Sequence, residues 1–196
     1  MSLSNSILNT KKMNTEQQYT QIINYCREIF QKKNRDYGTS WRIYRASALT
    51  DKIYIKAKRI RSIQENGTQK VADDLNSEFL AIVNYCIMAL IQLENIISDE
   101  NSTENQAENF DIILQKYDFY VAQTQELMQN KNHDYGEAWR DMRMSSMTDE
   151  ILVKLLRIKQ IEDNQGKTIA SEGIAANYQD ILNYAVFCLI LADFAG

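Results

Sequence analysis

Apolar residues recur at helical spacing along most of this chain. Between residues 15 and 33 they fall at Tyr19, Ile22, Ile23, Cys26 and Phe30, the pattern of a helix with one buried face. Tyr117, Tyr120, Val121, Leu127 and Met128 play the same part further on. Both segments run into Asp-Tyr-Gly, at 36–38 and 134–136, where glycine can take the left-handed conformation that ends a helix. A short second helix is expected next, carrying Trp41, Tyr44 and Ala48, or Trp139, Met142 and Met147. Thr50-Asp51 and Thr148-Asp149 read as the start of a third helix, with threonine as cap and an acid in the first turn. These third helices run to about Glu65 and Asp163 and end near Gly67 and Gly166. A fourth, long and very apolar helix is expected over about 72–97 and about 170–193.

The elements repeat because the sequence does. Lys33-Asn34-Arg35-Asp36-Tyr37-Gly38-Thr39-Ser40-Trp41-Arg42 returns as Lys131-Asn132-His133-Asp134-Tyr135-Gly136-Glu137-Ala138-Trp139-Arg140. Of the 30 aligned pairs from Lys33/Lys131 to Ser62/Gln160, 15 are identical by direct count. After a one-residue insertion in the second copy, Asn84-Tyr85 aligns with Asn183-Tyr184. A period near 98 is too long for a solenoid unit and marks a duplicated domain-sized body. The expected fold is all-α: two tandem four-helix units, related by a pseudo-twofold axis and packed as one bundle-like body. Residues 1–14 read as a disordered or tag-derived tail, 15–98 as copy one, 99–109 as a polar linker and 110–196 as copy two. The two fourth helices are too apolar to expose a face and are the expected central contact.

Composition adds constraints. No prolines and six glycines among 196 residues suit long helices joined by short turns. A net charge of -4 argues against broad binding to duplex nucleic acid through bulk charge. Cys26, Cys86 and Cys188 are odd in number and lie in apolar helical contexts, which reads as reduced thiols in a cytoplasmic protein. The apolar runs Phe79–Leu93 and Ile181–Phe194 are shorter than a membrane span and carry polar residues, so core helices and no membrane partner are expected. With one histidine and no Cys-x-x-Cys, any metal would be a hard ion on carboxylates.

Polar residues kept in both copies are the candidate chemistry. Arg42 and Arg45, matched by Arg140 and Arg143, are three apart on the second helix. Lys56 and Arg59, matched by Lys154 and Arg157, are three apart on the third. With Lys33 and Lys131 they form a phosphate-binding set, because guanidinium forks and lysine point charges suit phosphate oxygens. Tyr37, Trp41, Tyr135 and Trp139 are candidates to stack on a base. Asp36, Asp134 and Asp180 are the candidate catalytic carboxylates, holding metal or activating water. Glu172, Asp180 and Asn183 share one side of the last helix and, with Asp134, are candidate magnesium ligands. Copy one has Ala81 in place of Asp180, and Glu78 where copy two has Asn177. Copy two therefore reads as the fuller site. The competing reading is structural: kept Asp and Arg residues form ion pairs, the aromatics belong to the core, and Asp180 pairs with Lys154 or Arg157.

Lys-Asn-x-Asp-Tyr-Gly-x-x-Trp-Arg, then Thr-Asp, Lys-x-x-Arg-Ile and Asp-Ile-Leu-Asn-Tyr, resembles the DUF1599 family, also called nucleotide modification associated domain 1. The resemblance covers both copies and implies a link to nucleotide or modified-base metabolism. It also implies a weaker likeness to all-α nucleoside triphosphate pyrophosphatases, which bind magnesium through Glu-x-x-Glu and Glu-x-x-Asp helices. This chain has Lys56-x-x-Arg59 and Lys154-x-x-Arg157 where the first acidic pair would stand. The expectation is a protein that binds a nucleotide or phosphorylated small molecule, as a monomer or homodimer, with magnesium as the cofactor if there is one. An enzyme of this kind would be a magnesium-dependent phosphohydrolase or nucleotide-modifying enzyme. The alternative is a non-catalytic helical interaction module.

Overall fold

The computed structural model describes residues 13–67, 74–98, 109–167 and 173–192. The expected tail before Met13 and most of the expected linker lie outside them. Among the described residues every regular element is helical: α1 (Thr15–Tyr37), α2 (Ala46–Asn66), α3 (Leu75–Ser98), α4 (Phe110–Tyr135), α5 (Met144–Asp163) and α6 (Ile174–Leu191). A single 3-10 turn precedes α2 (Ser40–Ile43) and another precedes α5 (Ala138–Asp141). Each copy thus has four helical pieces, as the periodicity predicts, but the second is one 3-10 turn rather than a short α-helix. Ala48 and Met147, assigned to that second piece, already belong to α2 and α5.

Asp-Tyr-Gly stops the first helix of each copy. The amide of Gly38 donates to the Asn34 carbonyl, and that of Gly136 to Asn132. Gly38 has φ 61° and ψ -153°, a region that a β-carbon all but forbids. The start of α1 is fixed by a capping box, in which Asn14 accepts from the Gln17 amide and the Gln17 side chain accepts from the Asn14 amide.

The two copies interlock through α3 and α6, which make the most extensive helix pairing in the protein. By length and composition these two helices could cross a membrane, yet 67% of each is buried inside the protein. α2 packs on α5 across the same axis, while α1 lies on α6 and α4 on α3. Each of these α-helix pairings has its mirror, which is what a pseudo-twofold axis requires. The mirror reaches individual bonds. Tyr19 donates from its hydroxyl to Asn183 Oδ1 at 2.8 Å, and Tyr117 to Asn84 Oδ1 at 3.0 Å. The amides of these asparagines donate to the carbonyls of Thr124 and Cys26.

Thr50 and Thr148 are not helix caps. They lie inside α2 and α5, fully buried where those helices cross, and donate to Ala46 and Met144 four residues back. Threonine prefers caps but can also bond its own i−4 carbonyl inside a helix, which is why Thr-Asp misleads. Across the crossing, Thr50 bonds Glu162 at 2.7 Å and Thr148 bonds Gln64 at 3.1 Å. Asp51 pairs with Lys159 and Asp149 with Arg61. The Thr-Asp pairs are kept because they form the interface between copies.

Glu162 and Gln64 hold mirror positions, so the acid can be tested against its own control. Burial raises the Glu162 carboxyl above its ordinary 4.5, opposed by the Thr50 hydrogen bond. A raised carboxyl contributes stability that is complete below the unfolded pKa and is lost as pH rises through the folded one. Glu162→Gln should therefore flatten the fall in stability on going from acid to neutral pH, read from urea melts across that range. Equal pH slopes in the two proteins would contradict this.

Candidate functional site

The cations kept in both copies do not converge on one cleft. Arg42 reaches the far end of α3, where it donates to Gln92 Oε1 at 2.9 Å and to the Ile91 carbonyl. Lys56 and Arg59 meet Glu78 near the start of the same helix. Ile91 and Glu78 are 13 residues apart in sequence, or roughly 20 Å along a helix at 1.5 Å per residue. Arg140 also turns away. It stacks on Trp139 and donates to Thr15, Gln18 and Glu137, tying copy two to the start of α1. The hydrogen bonds from Thr15 and Arg140 hold the Glu137 carboxyl below its usual range. Arg45 and Arg143 are exposed N-caps of α2 and α5. The expected joint phosphate cluster is thus two separate sets, because a 3-10 turn followed by an extended residue does not place Arg-x-x-Arg on one helix face.

What does converge is in copy two. A cavity of about 390 Å³ is lined by Lys131, Asn132, Tyr135, Trp139, Lys154, Asp180 and Asn183, all kept positions except Asp180. Met128, Ala138, Met142, Tyr184 and Phe187 complete the wall. Trp139 and Phe187 lie face to face, with centroids 4.1 Å apart and planes within 5°. Asp180 accepts from Lys131 Nζ at 2.6 Å on one oxygen and from Lys154 Nζ at 2.5 Å on the other. Asp180 and Lys154 are nearly buried, whereas Lys131 is half exposed. Pairing with Lys154 is the role that the structural reading gave Asp180; Lys131 is an addition. A larger hollow of about 860 Å³ has only α1 residues as its described lining and brings no charges together from other elements.

Copy one answers the same charge problem differently. Glu78, only 1% exposed, pairs with Lys56 and Arg59. Glu78 aligns with Asn177 and Asp180 with Ala81, but positions three apart share a helix face. The carboxylate has not been lost from copy one. It has moved one turn along the helix, so copy one is not the degenerate partner on that ground. The move changes the partners. In copy one the acid binds Lys-x-x-Arg, and Lys33 is exposed. In copy two the acid binds both lysines, and Arg157 is exposed, outside the cavity lining.

The copies differ in packing too. Phe30 and Tyr44 stand in copy one where Met128 and Met142 stand in copy two. Phe30 is buried between Trp41 and Tyr117, and the Trp41 indole N–H donates to Asn34 Oδ1 at 3.3 Å. Gln92 seals that side by donating to the carbonyls of Arg42 and Tyr44. In copy two the Asn132 amide contacts Met128 Sδ instead, and the buried Trp139 N–H has no hydrogen-bond partner among the described residues. In copy one, larger rings thus stand where methionines border the cavity of copy two. The exchange of an aromatic for methionine at both positions was the sequence signal for this.

The proposed stacking set divides. Trp41 and Trp139 are buried, while Tyr37 and Tyr135 are 71% and 73% exposed. Tyr135 lines the cavity mouth. The proposed metal set does not fit a magnesium ion. Both Asp180 oxygens face ammonium groups, and Asn183 Oδ1 is taken by Tyr19. Asp134 is exposed beside His133 and does not line the cavity, and Asp36 is exposed at the end of α1. Glu172 lies outside the described residues. Among the described residues no three His, Cys, Asp or Glu side chains cluster as a metal site.

The fold and cavity define an all-α protein with an internal duplication, whose second copy carries a small, partly aromatic cavity. The chain belongs to the family described as nucleotide modification associated domain 1, DUF1599, whose model matches residues 33–93 and again 131–191. Both matches span the first-helix stop, the 3-10 turn and most of the fourth helix, so the duplicated unit is the family domain. Among curated proteins and among solved structures, nothing matches this chain.

Proposed function

We propose that copy two binds a nucleotide or a closely related phosphorylated metabolite. One observation carries this reading: an exposed tyrosine ring, Tyr135, and two lysine ammonium groups border one cavity of about 390 Å³ beside the stacked Trp139–Phe187 pair. The faces of Trp139 are taken by Phe187 and Arg140, so a planar base would lie against the exposed Tyr135 ring, and lysines recognise phosphate as point charges. The volume lies in the lower part of the roughly 300–1,000 Å³ range of small-ligand sites. The family description, with its link to nucleotide modification, supports the same class. Asp180 is the only acid among the described lining residues, and both its oxygens are held by lysines, so the reading stops at binding. Three buried free thiols, with Cys26 and Cys188 pushed up to about 12 by burial, support a reducing, cytoplasmic setting.

The test is a thermal-shift screen of nucleotides with and without magnesium, followed by calorimetry. A saturating ligand at a hundred times its dissociation constant stabilises a fold by about 2.7 kcal/mol. One site per chain is expected, because Phe30 and Tyr44 of copy one stand where Met128 and Met142 border the cavity of copy two. Lys154→Met should weaken binding about tenfold or more, and its counterpart Lys56→Met should leave it unchanged. A stoichiometry of two, or equal losses from both variants, would contradict the assignment to copy two. A flat screen would favour an interaction module. That second reading is supported by the many kept polar residues, Arg42, Thr50, Asn84 and their counterparts, that are engaged in internal bonds.

A further inference from the structure

We infer that the cavity of copy two takes a ligand with a single phosphate, a nucleoside monophosphate rather than a di- or triphosphate. This rests on the nucleotide reading above and narrows its substrate class. Three observations lead to it.

The first is spacing. Lys131 and Lys154 are held on the two oxygens of one carboxylate, Oδ1 and Oδ2 of Asp180. The bite of a carboxylate is close to that of two oxygens on one phosphorus. The ammonium pair is therefore set to grip one phosphate, not to follow a chain of them. The second is the supply of cations. Lys131 and Lys154 are the only cations among the described lining residues. Arg140 is engaged by Thr15, Gln18 and Glu137, and Arg143 and Arg157 are exposed outside the lining. The third is the anion already present. Asp180 is nearly buried and shares the two lysines. Two cations and one carboxylate leave a net charge of +1, which suits one phosphate. Each further phosphate adds negative charge beside Asp180 with no new cation to meet it, and like charges in a partly desolvated site repel.

Asp180 then acts as a resident competitor. In the free protein it keeps the lysines paired and in place. A phosphate draws them off and leaves Asp180 sharing both.

The experiment is calorimetric titration of the whole chain with nucleosides and their mono-, di- and triphosphates. Adenine, guanine, cytosine and thymine series are run with and without magnesium. For the base that binds best, the monophosphate should bind about tenfold or more tighter than the nucleoside, since a charge-assisted bond to phosphate is gained. The di- and triphosphate should bind no tighter than the monophosphate in either condition. Lys131→Met, at a half-exposed position, should weaken the monophosphate much more than the nucleoside. Asp180→Asn should strengthen the monophosphate several-fold. Affinity that climbs with each phosphate, with or without magnesium, overturns the inference and leaves the nucleotide reading standing. Equal affinity for nucleoside and monophosphate overturns it as well, because phosphate is then not read. Loss of binding in Asp180→Asn with the helical signal intact would make Asp180 a ligand contact instead of a competitor. No binding in any series removes both readings.

Discussion

Asn84→Ala and Asn183→Ala should each lower the free energy of unfolding by about 2–4 kcal/mol, by nearly equal amounts. Both asparagines are buried in the central helices, and each satisfies two groups at once. Asn84, on α3, accepts from Tyr117 of α4 and donates to the Cys26 carbonyl of α1. Asn183, on α6, accepts from Tyr19 of α1 and donates to the Thr124 carbonyl of α4. Each bridges the first helices of both copies. Truncation leaves a fully buried tyrosine hydroxyl without a partner, at about 1–3 kcal/mol, and removes a second bond to a carbonyl that keeps its own helix amide. The small cavity adds to that. Tyr19→Phe and Tyr117→Phe should cost less, since each removes one bond and leaves only an amide oxygen wanting. Urea melts of the four variants would measure these values. A loss under about 1 kcal/mol for either asparagine, or a large inequality between them, would mean that the bridges are not equivalent supports of the pseudo-twofold core.

The duplication made this much of the fold legible before any coordinates. Apolar periodicity located α1, α3, α4 and α6, and the hydrophobicity of the last helix in each copy identified the central pairing. What misled was local chemistry with two uses. Thr50-Asp51 has the composition of a helix start, but Thr50 bonds its own i−4 carbonyl inside a helix and is held there by its bond to Glu162 across the copies. Arg42 and Arg45 are spaced for one helix face, but Arg42 lies in a 3-10 turn and Arg45 is extended, so the spacing carries no meaning there. For the site, Lys131, Lys154, Asp180, Trp139 and Tyr135 were readable as kept or distinctive polar and aromatic positions. Phe187 was not, because the pattern alone does not show which ring fills the space beside Trp139; the exchange of Phe30 and Tyr44 for Met128 and Met142 is visible in the alignment but does not by itself mark a cavity. Asn183 was read as a metal ligand because its other partner, Tyr19, lies 164 residues away in sequence.

The carboxylate that changes position poses the most direct test of how the two copies correspond. Residue-by-residue alignment pairs Glu78 with Asn177 and Ala81 with Asp180, which reports one lost acid in each copy. On a helix the two sites adjoin, and each copy keeps one buried acid facing its third helix. Glu78→Ala should therefore cost about 2–3 kcal/mol. Removing one partner of a buried pair costs about 3–5 kcal/mol, and the value is reduced here because Lys56 and Arg59 keep access to water. Adding Ala81→Asp to that variant should restore about half of the loss. The introduced carboxylate would stand in copy one where Asp180 stands in copy two, and it would draw the exposed Lys33 in beside Lys56, as Lys131 lies beside Lys154. Added to the intact chain, Ala81→Asp should instead destabilise it, because a second acid would then face Glu78 with the same cations shared between them. The sign of the Ala81→Asp effect is thus expected to reverse with the state of residue 78, a coupling that a double-mutant cycle reads directly. Independent, additive effects would show that the two positions do not serve one charge balance, and the correspondence between Glu78 and Asp180 would fail with it.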